Sequence, residues 1–162
     1  MRFTVRLEIA LPREKVLDLL TDPAQRPKWL RGLVRHEPVH GREGQVGTVS
    51  TVELRSGKGT MQCTETITRR EPEDLGQARP EQVVRYEREI LAPGMWSAAR
   101  ERLSVAGPER TLWESENEYR FTGAMRWFAP FLRRAFIAQT RSHMEDFRAF
   151  AEHGTDVRAQ DR

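Results

Sequence analysis

A chain of 162 residues, 38% hydrophobic and 31% charged, fits one soluble domain with a sizeable core. No apolar run approaches the length of a bilayer span, and the opening MRFTVRLEIA alternates where a secretory signal has an apolar centre, so a cytoplasmic protein is expected. The net charge of +3 is carried almost wholly by arginine with acidic residues interspersed, which fits a solvated, salt-bridged surface better than a nucleic-acid face, and the lone Cys63 excludes an internal disulfide and a cysteine metal cluster.

Residues 2–10 alternate, with Phe3, Val5, Leu7 and Ile9 on one side and Arg2, Thr4, Arg6 and Glu8 on the other, the pattern of a half-buried strand. Pro12 starts a helix with Glu14 near its positive end and Val16, Leu19 and Leu20 as its buried face; Asp22-Pro23 ends it. A short second helix, 23–30, delivers Trp29 to the interior. Six strands follow, at 33–40, 46–54, 60–70, 82–91, 95–105 and 111–122, divided by a Ser56-Gly57-Lys58-Gly59 hairpin turn, a polar loop at 71–81 and a Pro93-Gly94 turn. The last long element is a helix from Pro130 to His153, with a lead-in from Met125. Its apolar stripe is Leu132, Phe136, Thr140, His143, Phe147 and Phe150, and Gly154 is its natural stop. Residues 155–162 read as a disordered polar tail after a single domain at 1–154.

Short turns make consecutive strands antiparallel neighbours, and such a sheet needs one face covered. Only the terminal helix is long enough to cover it. A sheet curled around that helix leaves a cavity wherever the intervening side chains do not fill the gap.

Several segments resemble the START-like superfamily, also called SRPBCC or helix-grip, which includes polyketide cyclases and proteins of the birch-pollen-allergen type. They are the strand RFTVRLEIA, the proline-started helix LPREKVLDLLTDP, PKWLRGL with its tryptophan, the Val-Gly of GREGQVGT and the terminal TRSHMEDFRAFAE. Leu11 before Pro12 departs from the pattern as a poor cap, at a cost of about 1 kcal/mol. The resemblance spans 1–154. It implies an α+β helix-grip fold, a seven-stranded curved antiparallel sheet around a long C-terminal helix with two short helices after the first strand. It also implies a deep pocket for lipids, sterols, polyketides or other apolar molecules. It carries no catalytic motif.

Alternation indicates what faces that pocket. Trp113, Ser115, Asn117, Tyr119 and Phe121 share a face of the last strand, opposite three glutamates. Ser97, Ala99, Glu101, Leu103 and Val105 share the inward face of the strand before it; Met61, Cys63, Glu65 and Ile67, and Tyr86, Arg88 and Ile90, form similar sets. With Trp29 and with Phe136, Thr140, His143 and Phe147 of the helix, they make the expected ligand pocket. Glu65, Glu101 and His143 are the candidates for acid–base chemistry. A buried carboxylate needs a partner or a raised pKa. The alternatives are a bulge that turns Glu65 or Glu101 to solvent, or a structural ion pair with Arg88. His143 serves either a ligand or a strand hydroxyl such as that of Tyr119. His36 and His40 lie about 13 Å apart along a strand and cannot share a metal; no metal or cofactor is expected, and Cys63 reads as an inert thiol. Trp127 and Phe131 plug one end of the cavity if the chain loops before Pro130, with 125–129 as a flap. On a continuous helix they lie opposite the stripe and suggest a homodimer or a membrane-surface contact.

The leading expectation is therefore an apolar small-molecule binder. The alternatives are a cyclase or dehydratase-type lyase without metal using the same cavity, and an interaction protein docking through the basic, aromatic segment from Arg126 to Arg134. No specific nucleic-acid partner and no transmembrane segment are expected.

Overall fold

The computed structural model describes residues 1–160. Strand β1 (Arg2–Ile9) is followed by helices α1 (Arg13–Thr21) and α2 (Arg26–Trp29). Then come β2 (Leu33–His40), β3 (Val49–Ser56), β4 (Gly59–Glu71), β5 (Val84–Ala92), β6 (Met95–Gly107) and β7 (Arg110–Phe121). Helix α3 spans Met125–His153, and a short α4 spans Val157–Gln160. The seven strands form one antiparallel sheet in the order β1-β7-β6-β5-β4-β3-β2. The two helices after β1 carry the chain from one edge of this sheet to the other.

Strand β1 buries Phe3, Val5, Leu7 and Ile9 and exposes every residue between them, because only one face meets the core. The convex face carries an ionic lattice instead. Arg2, Arg100 and Arg120 all reach Glu118, and their hydrogen bonds hold its carboxyl at about 2. Arg120 also stacks over Trp96 at 4.6 Å. The chain's arginine excess is thus partly spent on its own sheet.

Helix α3 lies against the concave face, packing on β1 and β7. Phe147 is fully buried, edge-on to both Trp29 (5.1 Å) and Trp113 (5.3 Å). Three turns earlier Phe136 meets Tyr119 at 4.6 Å and Phe121 at 5.7 Å. Gly154 ends the helix in the left-handed region (φ 69°), its N–H donating to the Phe150 carbonyl while Thr155 N–H reaches Ala149, as a Schellman stop requires.

Four expectations are corrected. Pro130 is inside α3, so 125–129 is helix and not a loop or flap; Trp127 and Phe131 stand 72% and 84% exposed and plug nothing. The proline ring removes one amide donor near the exposed start of the helix, where water can serve the Arg126 carbonyl. Val105 is 42% exposed, because it sits where β6 shifts register toward its turn with β7. Among its apolar residues helix α1 buries Val16 and Leu17 most completely, with Leu19 and Leu20 only half-buried. The segment after Gly154 is not all disordered tail: Val157 is 2% exposed and α4 packs against α2, while 161–162 lie outside the described residues.

Candidate functional site

The concave face carries a charged cluster midway between two apolar ones. On one side Phe3, Val5, Trp29, Trp113 and Phe147 pack with α1 and α3. On the other, Val52, Cys63 and Ala92 are joined by Leu54, Met61 and Ile90. Between them Arg88 on β5 directly faces Ile67 on β4 and Ala99 on β6. These are short or apolar neighbours, so its guanidinium reaches the diagonal positions two residues along, which long side chains can span. There Nη1 donates to Glu65 Oε2 at 3.2 Å and Nη2 to Glu101 Oε1 at 3.4 Å.

Each carboxylate has further partners. Trp113 Nε1 donates to Glu101 Oε2 at 2.7 Å and Ser115 Oγ to Oε1 at 3.1 Å. Asn117 Nδ2 in turn donates to Ser115 Oγ at 3.0 Å. His36 Nε2 pairs with Glu65 Oε1 at 3.1 Å, reaching across β3 where the small Ser50 faces Glu65. Arg26, buried at the start of α2, bonds Glu43 at 3.3 Å and adds its field to Glu65. Both register and pairing thus decide between the sequence alternatives: no bulge turns Glu65 or Glu101 outward, at 8% and 5% exposure, and Arg88 does form the ion pair.

The two carboxyls are driven apart. Burial pushes Glu65 up, but Arg88, the His36 hydrogen bond and Arg26 outweigh it and hold the group at about 2. Burial also pushes Glu101 up, and there it prevails over Arg88, Trp113 and Ser115. One guanidinium is shared between two buried carboxyls, so the pair is driven in opposite directions, Glu65 down and Glu101 up. For Glu65 the folded value lies below its ordinary 4.5. Its stabilising share is complete above 4.5 and lost as pH falls through about 2, roughly 3 kcal/mol at 1.36 kcal/mol per pH unit. Glu101 has the opposite sign: its bound proton favours the fold at low pH, and that share fades as pH rises through the raised value. Urea midpoints between pH 4.5 and 2 should therefore fall less steeply in Glu65→Gln. Glu101→Gln should leave that window unchanged and differ only above it. Equal slopes for Glu65→Gln and the parent would contradict the assignment.

Of the other expected site residues, Trp29, Trp113 and Phe147 are in packed aromatic contact. Burial pushes the Tyr119 phenol up, with the Thr140 side chain acting against it. His143 is half-buried; burial pushes its imidazole down, against Asp146 and with Arg31. Cys63 is buried, and burial with the Glu65 charge raises its thiol, which disfavours the reactive thiolate. Met61, Tyr86 and Ile90 stay half-exposed, and the Arg88 side chain keeps 27% of its surface open. The concave face is therefore covered toward β1 and β7, where α3 packs, and less covered over β3–β5. Arg88 Nε in the cluster, and the buried Arg26 Nη1, have no acceptor among the described residues. Two surface grooves lie elsewhere: about 480 Å³ between the end of β1 and the outer flank of α3, and about 200 Å³ between α2 and α4. Among the described residues no cluster of three His, Cys, Asp or Glu side chains is placed to hold a metal ion.

Sequence reasoning missed His36 and Arg26 as cluster members. Alternation carried no signal for His36, since Val34, Pro38 and His40, which share its parity on β2, are exposed; for Arg26 there was none either.

The model of a family described as polyketide cyclase / dehydrase and lipid transport matches residues 1–152. No curated protein sequence matches the chain. Among solved structures, the chain is similar to the Zhui aromatase/cyclase from Streptomyces sp. R1128, with TM-score 0.71 and 13% identity over 94% of this chain and 93% of that one. It is also similar to truncated norcoclaurine synthase from Thalictrum flavum (TM-score 0.67, 12% identity, 94% of each chain). A third likeness is to Ara h 8.0201 (TM-score 0.69, 14% identity, 93% of this chain and 97% of that one). These likenesses show the fold.

Proposed function

Because the chain belongs to the polyketide cyclase / dehydrase and lipid transport family, we propose that it holds a largely apolar small molecule in the open part of the cleft, over β3–β5, with a polar end directed at Arg88. The observation that carries this is the exposure gradient in the cluster: the two carboxylates are buried, while the guanidinium between them remains reachable from the cleft. A ligand oxygen beside Arg88 would also offer an acceptor to its Nε, which has none among the described residues. The walls supply apolar contact through Met61, Tyr86 and Ile90. Two carboxyl groups already share the one guanidinium, which favours a neutral oxygenated ligand over a carboxylate.

A second reading, a cyclase or dehydratase-type reaction, is favoured by one feature only. The cluster moves its two carboxyls in opposite directions, Glu65 down and Glu101 up, the kind of separation that acid–base chemistry uses. Glu101 would be the acid. Against it, Glu101 already accepts from Trp113 and Ser115, so it is held as a structural group.

Native mass spectrometry of the protein purified from its own cells tests the first reading. The expected result is an adduct of a small apolar molecule, released on unfolding and displaced from the Arg88→Leu protein at least tenfold more readily. A protein that emerges free of adduct and also fails to bind an apolar fluorescent probe would remove the carrier assignment. Turnover of the recovered ligand that survives Glu101→Gln unchanged would remove the enzymatic one.

A further inference from the structure

The 26 residues from Tyr119 to Met144 contain five arginines and no acidic residue, whereas the rest of the chain is net negative. Arg120 lies at the end of β7, and the other four arginines lie on α3. Phe136, Thr140 and Phe147 define its inward direction. At 100° per residue Trp127, Phe131, Arg134 and Arg141 point the opposite way, with Phe128 and Arg126 on the flanks. The exposed apolar area is large: Phe131 is 84%, Trp127 72%, Phe128 60% and Met125 43% exposed. Arg126 stacks over Trp127 at 5.3 Å. Arg126, Arg133 and Arg134 are all exposed.

We propose that this face is a docking surface for an anionic lipid bilayer, with α3's first three turns lying in the headgroup plane. Large aromatic side chains flanked by arginine, on one side of a helix whose other side is anchored in a core, are what an interfacial helix presents. The aromatic rings enter the acyl boundary and the arginines pair with lipid phosphates. A second copy of the chain is a poor occupant, because a symmetric contact would set arginine against arginine. A polyanion without an apolar phase would leave Phe128 and Phe131 in water. The inference is independent of the cleft reading, since it needs no ligand. If both hold, the docked segment borders the cleft, because α3 begins directly after β7 and beside the β5–β6 turn, where Thr122 N–H bonds the Gly94 carbonyl.

The test is sedimentation of the full-length protein with unilamellar vesicles of phosphatidylcholine containing 30% phosphatidylglycerol, against pure phosphatidylcholine vesicles. Binding is expected to the anionic vesicles, weakened by salt. It should fall about fivefold for each of Arg126→Gln and Arg134→Gln and at least tenfold for Trp127→Ser/Phe131→Ser. These positions are exposed, so the variants should melt with the parent. In the unmutated protein, lipids brominated on the acyl chain should quench tryptophan fluorescence, and Trp127→Phe should abolish that quenching. Equal binding to neutral vesicles, retention by the serine variant, or absent quenching overturns the proposal. So does concentration-dependent dimerisation that the serine variant abolishes, or binding to an oligonucleotide but not to vesicles.

Discussion

Arg88→Met is expected to lower the unfolding free energy by about 3–5 kcal/mol at pH 8, the usual cost of removing one member of a buried ion pair. Methionine replaces most of the arginine stem, so lost packing is a small part of this. The larger part is electrostatic. Glu65 and Glu101, 8% and 5% exposed, would lie on neighbouring sides of the gap with no cation between them. Glu65 would retain His36 and the field of Arg26; Glu101 would retain only neutral donors from Trp113 and Ser115. Both carboxyls would then titrate upward, so the deficit should shrink as pH falls toward 5, where protonation removes the uncompensated charge. Urea unfolding at the two pH values measures this. The triple variant Glu65→Gln/Arg88→Met/Glu101→Gln should recover most of the loss, since replacing a whole buried ionic group costs far less than breaking it. A deficit under 1 kcal/mol at pH 8, typical of a surface pair, would mean the cluster is solvated and has no special role in the cleft.

This cluster also shows how far the sequence reaches. The inward parity of Glu65, Arg88, Glu101 and Ser115 is readable, because a period of two is fixed once one face of each strand is buried. That they touch is not readable, because contact depends on the diagonal offset between strands, set by three separate hairpin registers. His36 illustrates the same limit across two strands. Arg13 illustrates another. Its side chain, on a helix next to Pro12, is 1% exposed and donates to the carbonyls of Ala78, Arg79 and Gln82, clamping a loop more than sixty residues away. Nothing local marks an arginine for burial. Val157 is a lone apolar residue in a polar segment, too isolated to form a pattern, yet it reaches the core beside α2. The start of α3 failed for a different reason: Pro130 is a sound local signal for a helix start, and it is overridden where the preceding turn has no competing partner.

Phe147→Ala should cost about 3–5 kcal/mol, the range for emptying a fully buried phenylalanine site, and lower Tm by roughly 10 °C for a chain of this size. The ring fills the angle between Trp29 and Trp113, edge-on to both at 83° and 80°. Its removal leaves a void bounded by two large, rigid indoles on separate elements, which cannot both move in without pulling α2 from α3. Phe147→Leu should cost about a third as much. The informative control is on the same helix. Phe131→Ala makes an identical chemical change four turns earlier, at a site 84% exposed, and should shift stability by no more than about 0.5 kcal/mol. One helix therefore carries two phenylalanines with opposite duties, one holding the sheet and one facing out. Thermal melts of the two variants side by side separate them. Comparable losses would mean that the outward face is already covered by protein, and α3 would then be a buried strut with no surface left to offer a membrane.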